Sequence, residues 1–139
     1  MYIDTSALVK LYIREADSEA CWNTIADSSL VSSRLLYCEF RAALLGKESR
    51  KIISPESRNE AWQRFEQDVS DRVIQFVSLN DLVIQDAQKL LDELHPSVSL
   101  RTLDAIHLAT CISGEVGLLF TKDHRMLKAA AFLGLALAS

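Results

Sequence analysis

Little punctuates this 139-residue chain, which holds only 4 Gly and 2 Pro. So few turn formers disfavour sandwiches and barrels, which need a tight turn every few residues, and leave helices to dominate. The 3 cysteines, Cys21, Cys38 and Cys111, are odd in number and widely spaced, with no C-x-x-C pair. Neither a disulfide framework nor a structural zinc site fits them, and a reducing cytoplasm is the expected setting. Long apolar runs are missing as well. The nearest, Ala129 to Ala138, is too short for a membrane span, and Met1-Tyr2-Ile3-Asp4 lacks the basic and apolar regions of a secretory signal.

Positive charge is not in excess either. The 15 Lys and Arg stand against 19 Asp and Glu, a net charge of −4, and that sign ordinarily counts against a nucleic-acid partner. The total conceals its distribution: residues 56–94 hold 9 acids to 4 bases and residues 1–33 hold 5 to 2, whereas residues 34–55 hold 5 bases to 2 acids and residues 95–139 hold 4 to 3. What is present is an ordinary globular balance, 49% hydrophobic and 24% charged. Residues 1–139 are therefore expected to fold as one unit, with no linker or repeat.

Along the chain, strand patterns alternate with helix patterns. Residues 2–3 read as a very short strand that runs directly into a helix over Ser6 to Arg14, with Leu8, Leu11 and Tyr12 on one face. A helix after Asp17 or Ser18 turns Ala20, Cys21, Ile25 and Ala26 inward. Leu30 to Ser32 is a short buried strand and Leu35 to Leu45 a helix. Ser54-Pro55-Glu56 opens a polar helix with Ala61, Trp62, Phe65 and Val69 on one side. Val73 to Leu79 is a strand. Asn80 caps a helix carrying Val83, Ile84, Ala87, Leu90, Leu91 and Leu94, which stops at His95-Pro96. A helix from Thr102 or Leu103 to Gly114, a strand over Leu118 to Thr121, a helix over Arg125 to Leu133 and a last strand over Leu135 to Ala138 complete the order. This alternation implies a three-layer α/β/α fold on a mainly parallel sheet of four to five strands. In such sheets the ligand crevice lies beyond the carboxyl ends of the strands.

Four acids fall where that crevice should be. Asp4 ends the first strand, Asp123 follows the Leu118 to Thr121 strand, Glu39 sits one turn into a helix among Leu36, Phe40 and Ala43, and Asp104 lies in a first helical turn beside Leu103, Ala105, Ile106 and Leu108. Carboxylates are rarely buried unpaired. A group of them without His or Cys partners suits a hard cation, Mg²⁺ or Mn²⁺, and a carboxylate-held metal is suited to phosphodiester hydrolysis. Taken singly, each acid has a plainer reading: Asp4 and Asp123 as helix caps, Asp104 as a complement to a helix dipole, Glu39 as a surface ion pair with Arg34 or Arg41.

The set is more specific than its parts. Met1-Tyr2-Ile3-Asp4-Thr5-Ser6-Ala7-Leu8, Glu39 within Ser33 to Leu44, Leu103-Asp104-Ala105-Ile106-His107-Leu108-Ala109 and Phe120-Thr121-Lys122-Asp123-His124-Arg125-Met126-Leu127 together resemble the PIN-domain family, and within it the VapC-type ribonuclease toxins of toxin–antitoxin pairs. The resemblance spans the chain in order. It implies a PIN-like fold and an endoribonuclease in which Asp4, Glu39, Asp104 and Asp123 bind Mg²⁺ or Mn²⁺ and orient the water that cleaves RNA. It also implies supporting roles for Thr5, Ser6 and Thr121, an antitoxin partner whose tail covers the acids, and a homodimer built on helical faces, without membrane association. Residues 49–92 carry no family motif.

Arg34, Arg41, Lys122 and Arg125 flank the motifs and are expected RNA contacts. Metal-balanced acids would remove the objection raised by the net charge. His107, three residues after Asp104 and on nearly the same helix face, reads as packing rather than as a ligand or base. Trp22, Trp62 and Phe65 read as core or interface, with the Pro55 to Asp71 helix a candidate contact for antitoxin or second subunit. Two other readings stand beside the nuclease. One is a PIN-like module that binds RNA or a partner without cutting. The other is a haloacid-dehalogenase-like phosphatase, which needs a second acid two residues after its nucleophile, where this chain has Ser6.

Overall fold

A computed structural model describes residues 1–26 and 28–139. Five strands, β1 (Tyr2–Ile3), β2 (Leu30–Ser33), β3 (Ile74–Val77), β4 (Leu118–Phe120) and β5 (Ala136–Leu137), form one sheet in the order β3-β2-β1-β4-β5. Every pairing is parallel, and the helices α1 (Thr5–Tyr12), α2 (Ser18–Ile25), α3 (Leu35–Ser49), α4 (Pro55–Ser70), α5 (Asp81–Leu94), α6 (Thr102–Ser113) and α7 (His124–Leu133) supply the crossovers and the covering layers. The architecture is the three-layer α/β/α fold expected from the alternation of patterns.

The central strand is only two residues long, yet it divides the core. Successive strand side chains point to opposite faces. Ile3 and its register partner Phe120 enter one apolar cluster with Leu8, Phe40, Phe65 and Ile74. Tyr2 and its partner Leu119 enter the other, with Val83, Leu94, Leu108 and Met126. A sheet covered on both faces leaves its carboxyl edge as the place where chain ends and helix starts meet.

Helix boundaries follow local chemistry. The Ser54 hydroxyl accepts from the backbone N–H of Ser57 and Pro55 occupies the first turn of α4, while the Asn80 side chain accepts from Val83 N–H at the start of α5. Gly134 ends α7 in the left-handed region, with φ of 68°, where a side chain is strained. Along α5, Val83, Ala87, Leu90 and Leu94 are buried at helical spacing.

Several expectations need correcting. Ala20 and Ala26 are exposed, and only Cys21 and Ile25 of that set turn inward. Ile84 points outward on α5. Helix α3 continues one turn beyond Leu45 to Ser49, because Gly46 is accommodated within it, and β3 is shorter than the alternation suggested. Phe65 is fully buried, and Trp62 stacks on Phe40 with ring centroids 6.1 Å apart. Helix α4 thus packs Phe65 into the core beside α3, with Trp62 half-buried against the same cluster. Trp22, by contrast, is exposed.

Truncating the aromatic centre should be costly. Phe65→Ala is expected to lose about 3–5 kcal/mol of unfolding free energy in urea titrations, whereas Leu82→Ala, at a side chain 67% exposed, should change it by less than about 0.5 kcal/mol.

Candidate active site

The parallel sheet delivers Asp4, directly after β1, and Thr121-Lys122-Asp123, directly after β4, to one edge. Asp4 is the N-cap of α1 and accepts from Ala7 N–H at 3.1 Å. Asp123 is the N-cap of α7, its Oδ1 accepting from Arg125 N–H at 2.7 Å and Met126 N–H at 3.2 Å. Asp104 Oδ2, in the first turn of α6, accepts from Arg101 N–H at 3.2 Å. The capping readings of these acids are therefore real. They do not compete with a site, because each cap fixes where a carboxylate stands.

All four acids, Asp4, Glu39, Asp104 and Asp123, border a single cavity of about 260 Å³, together with Thr5, Ser6, Val9, Ala43, Arg101 and His107. The hydroxyls hold them in place. Ser6 Oγ donates to Asp4 at 2.8 Å and accepts from Lys122 N–H at 2.8 Å. Thr121 Oγ1 donates to Asp4 Oδ2 at 2.8 Å and accepts from Asp123 N–H at 3.0 Å. These two residues tie the β1–α1 junction to the β4–α7 junction. Thr5 Oγ1 donates to Glu39 Oε2 at 2.8 Å.

Protein donors use only part of this carboxylate capacity. Glu39 Oε1, Asp104 Oδ1 and Asp123 Oδ2 have no hydrogen-bond partner among the described residues, while the second oxygen of each is bonded. The acids border a shared cavity without closing into a cage: among the described residues, no three His, Cys, Asp or Glu side chains are gathered tightly enough to hold an ion as they stand.

The electrostatics match crowded, partly desolvated acids. Burial pushes the Asp4 carboxyl above the ordinary carboxylate range despite hydrogen bonds from Thr121, Ala7 and Ser6. Burial also raises Asp104, and the neighbouring charge of Asp123 raises it further, against the Arg101 N–H bond. At Glu39 burial is outweighed by the hydrogen bonds of His107 and Thr5, so its carboxyl lies below the ordinary value.

A family model described as PIN domain matches residues 1–133. The chain belongs to the PIN-domain family. Over 139 residues it is 36% identical to Ribonuclease VapC46 of Mycobacterium tuberculosis (strain ATCC 25618 / H37Rv), a match covering 98% of this chain and 94% of that protein. Over 146 residues it is 31% identical to Ribonuclease VapC35 of the same species (strain CDC 1551 / Oshkosh), covering 100% of this chain and 96% of that protein.

Other predicted residues of this PIN chain fall in distinct places. Glu39 is not paired with an arginine. Its partner is His107, whose Nε2 lies 2.5 Å from Oε2, so the residue that sequence patterning assigned to packing is buried and also touches the site. Its signal was a histidine inside an otherwise apolar helical stretch, one turn from an acid. The Arg34 and Arg41 guanidinium groups lie over the rings of Phe76 and Trp62 at 5.4 and 5.1 Å, and neither borders the acidic cavity. Arg125 is exposed on α7. Lys122 borders a second cavity of about 510 Å³ that shares Ser6, Val9 and Ala43 with the first and also contains Lys10, Lys47 and Arg50. Lys10 is paired with Glu15 and Asp17, and Lys47 with Glu15. Arg50 and Lys122 have no carboxylate partner among the described residues. Sequence patterning did not bring Lys10, Lys47 and Arg50 to this place, because they meet only through the packing of α1 against α3.

A carboxyl raised on folding adds stability below its unfolded pKa and loses it as pH rises through the folded value. In chelator, Asp104→Asn should therefore melt above the parent protein at neutral pH, with the gap closing below about pH 4, where unfolded aspartates are protonated. Parallel thermal melts across pH check this. An unchanged gap at low pH contradicts it.

Proposed function

We propose that this PIN-domain protein is a divalent-metal-dependent endoribonuclease, the toxin of a toxin–antitoxin pair, with residues 1–139 as one nuclease unit. One observation carries the reading: acids from four separate parts of the chain, Asp4, Glu39, Asp104 and Asp123, border one cavity at the carboxyl edge of a parallel sheet. The names of the relatives, both ribonucleases, supply the reaction class.

The donor set fits Mg²⁺ or Mn²⁺. It offers carboxylate oxygens, three of them without protein partners, and hard cations of this size favour oxygen ligands. Glu39, Asp104 and Asp123 would hold the ion through those oxygens, in the cavity they share with the buried Asp4. When bound, such an ion supplies Lewis acidity toward a phosphoryl oxygen and lowers the pKa of water.

The chain's own residues do the rest. Ser6, Thr121 and the backbone amides of α1 and α7 keep Asp4 and Asp123 in fixed orientation, so little reorganisation is needed when charge develops. Both Asp4 oxygens are engaged by donors and its side chain is buried, which suits an anchored carboxylate better than a nucleophile. The adjoining basic cleft takes the flanking RNA phosphates, with Lys122 and Arg50 as the unpaired cations, and Arg125 lies beyond it on α7. The antitoxin competes for the same cavity, and helical faces outside it are left for a second subunit.

Asp4→Asn and Asp104→Asn should each abolish cleavage of RNA while the protein remains folded, and full activity in excess EDTA would end this reading. Lys122→Ala should weaken RNA binding across sequences and lower the salt slope by about one phosphate contact, read by fluorescence anisotropy at several salt concentrations. Arg34→Ala, at a side chain away from the cleft, should leave that slope unchanged.

A further inference from the structure

The feature the nuclease reading leaves unexplained lies behind the acids. Tyr2 and His107 are both buried, on β1 and α6; Tyr2 belongs to an apolar cluster with Ala105, Leu108 and Cys111, the buried α6 neighbours of His107. A polar ring in such surroundings persists when its nitrogens are bonded, and both nitrogens of His107 are. Nδ1 lies 2.8 Å from the Tyr2 hydroxyl, and Nε2 lies 2.5 Å from Glu39 Oε2. The two rings meet edge to face, 5.9 Å apart at 77°.

The proton positions follow from the chemistry. A carboxylate oxygen only accepts, so Nε2 must carry hydrogen. With the Tyr2 hydroxyl donating to Nδ1, the imidazole has that hydrogen on Nε2 and no competing tautomer facing the acid. Thr5 donates to the same Glu39 oxygen from the other side. Two donors on Oε2 leave Oε1 as the oxygen without a protein partner.

We propose that Tyr2 and His107 form a positioning brace for Glu39: Tyr2 selects the imidazole tautomer, His107 with Thr5 captures Oε2, and Oε1 is thereby aimed at the cation site. No proton or electron is transferred, and His107 does not touch the substrate. The brace couples the central strand to α3 through α6, so the direction of one flexible glutamate is set by groups in the core. It deepens the metal-dependent nuclease reading and rests on it. Groups of this kind behind a metal ligand typically alter metal affinity by about 10–100-fold when removed.

The test uses the intact metal-free protein and Mn²⁺ as the probe. Long-range ¹H–¹⁵N spectra should show His107 protonated at Nε2 and hydrogen-bonded through an unprotonated Nδ1, and Tyr2→Phe should shift the Nδ1 resonance. Mn²⁺ titration should show His107→Leu weakened by about tenfold or more, with His107→Gln, whose side-chain amide can still donate to Glu39, recovering most of the loss. With a mixed-sequence single-stranded RNA, kcat should fall in His107→Leu while KM stays near that of the parent.

If His107→Leu does not fold, Tyr2→Phe, which removes a single hydroxyl, carries the same Mn²⁺ comparison. A His107 protonated at Nδ1 alone overturns the brace, as does parental Mn²⁺ affinity in every folded variant. Should the parent bind Mn²⁺ with the predicted variant order yet cut no RNA, the brace is supported and the ribonuclease reading fails.

Discussion

Burial of carboxylates at one edge of the sheet is the constraint around which this molecule is arranged. Asp4, Glu39, Asp104 and Asp123 border one cavity; burial penalises the charge of Asp4 and Asp104, and the charge of Asp123 adds to the penalty at Asp104. The structure offsets it locally. Asp4 and Asp123 face helix N-termini, where backbone N–H groups and the helix dipole favour negative charge. Ser6, Thr121, Thr5 and His107 supply side-chain donors. Each donor also fixes a direction, so the groups that make the acids tolerable also determine which oxygens remain available.

The same arrangement resolves the charge of the whole chain. A net −4 is a poor guide to what the active edge presents, because acids and bases are segregated. The carboxylates line one cavity, and Lys10, Lys47, Arg50 and Lys122 line the adjoining one. Glu15 and Asp17 partly neutralise this basic cleft; hydrogen bonds and charge from Lys10 and Lys47 keep the Glu15 carboxyl below its ordinary value. Arg50 and Lys122 remain in this cleft without a carboxylate partner among the described residues, so a basic surface adjoins the acidic cavity directly.

Much of this was legible in sequence. Short β-branched or apolar runs between helical patterns identified the parallel sheet, and residues such as Pro55, Asn80 and Gly134 marked helix ends through local chemistry that survives in the fold. The acids could be found because strand-to-helix junctions in a parallel sheet bring sequence-distant residues to one edge. Tertiary context decided the remainder. Ala20 and Ala26 are too small for periodicity to assign a face, and Ile84 shows that an apolar residue at helical spacing can still face solvent. Arg34 and Arg41 lie near the motifs in sequence, and only the fold sets their guanidinium groups over the rings of Phe76 and Trp62. His107 looked like packing because its helix is apolar; only the approach of Glu39 from α3 and Tyr2 from β1 gives the ring its bonds.

The reading proposed above places one divalent cation in the cavity that Asp4, Glu39, Asp104 and Asp123 border. Paramagnetic broadening by substoichiometric Mn²⁺ in ¹H–¹⁵N spectra tests it most directly. The account predicts that amides around Asp4, Glu39, Asp104 and Asp123 broaden first and together, before those of the acid-rich exposed face of α5. Broadening that begins on α5, or scatters over surface acids while the four junctions stay sharp, would contradict it.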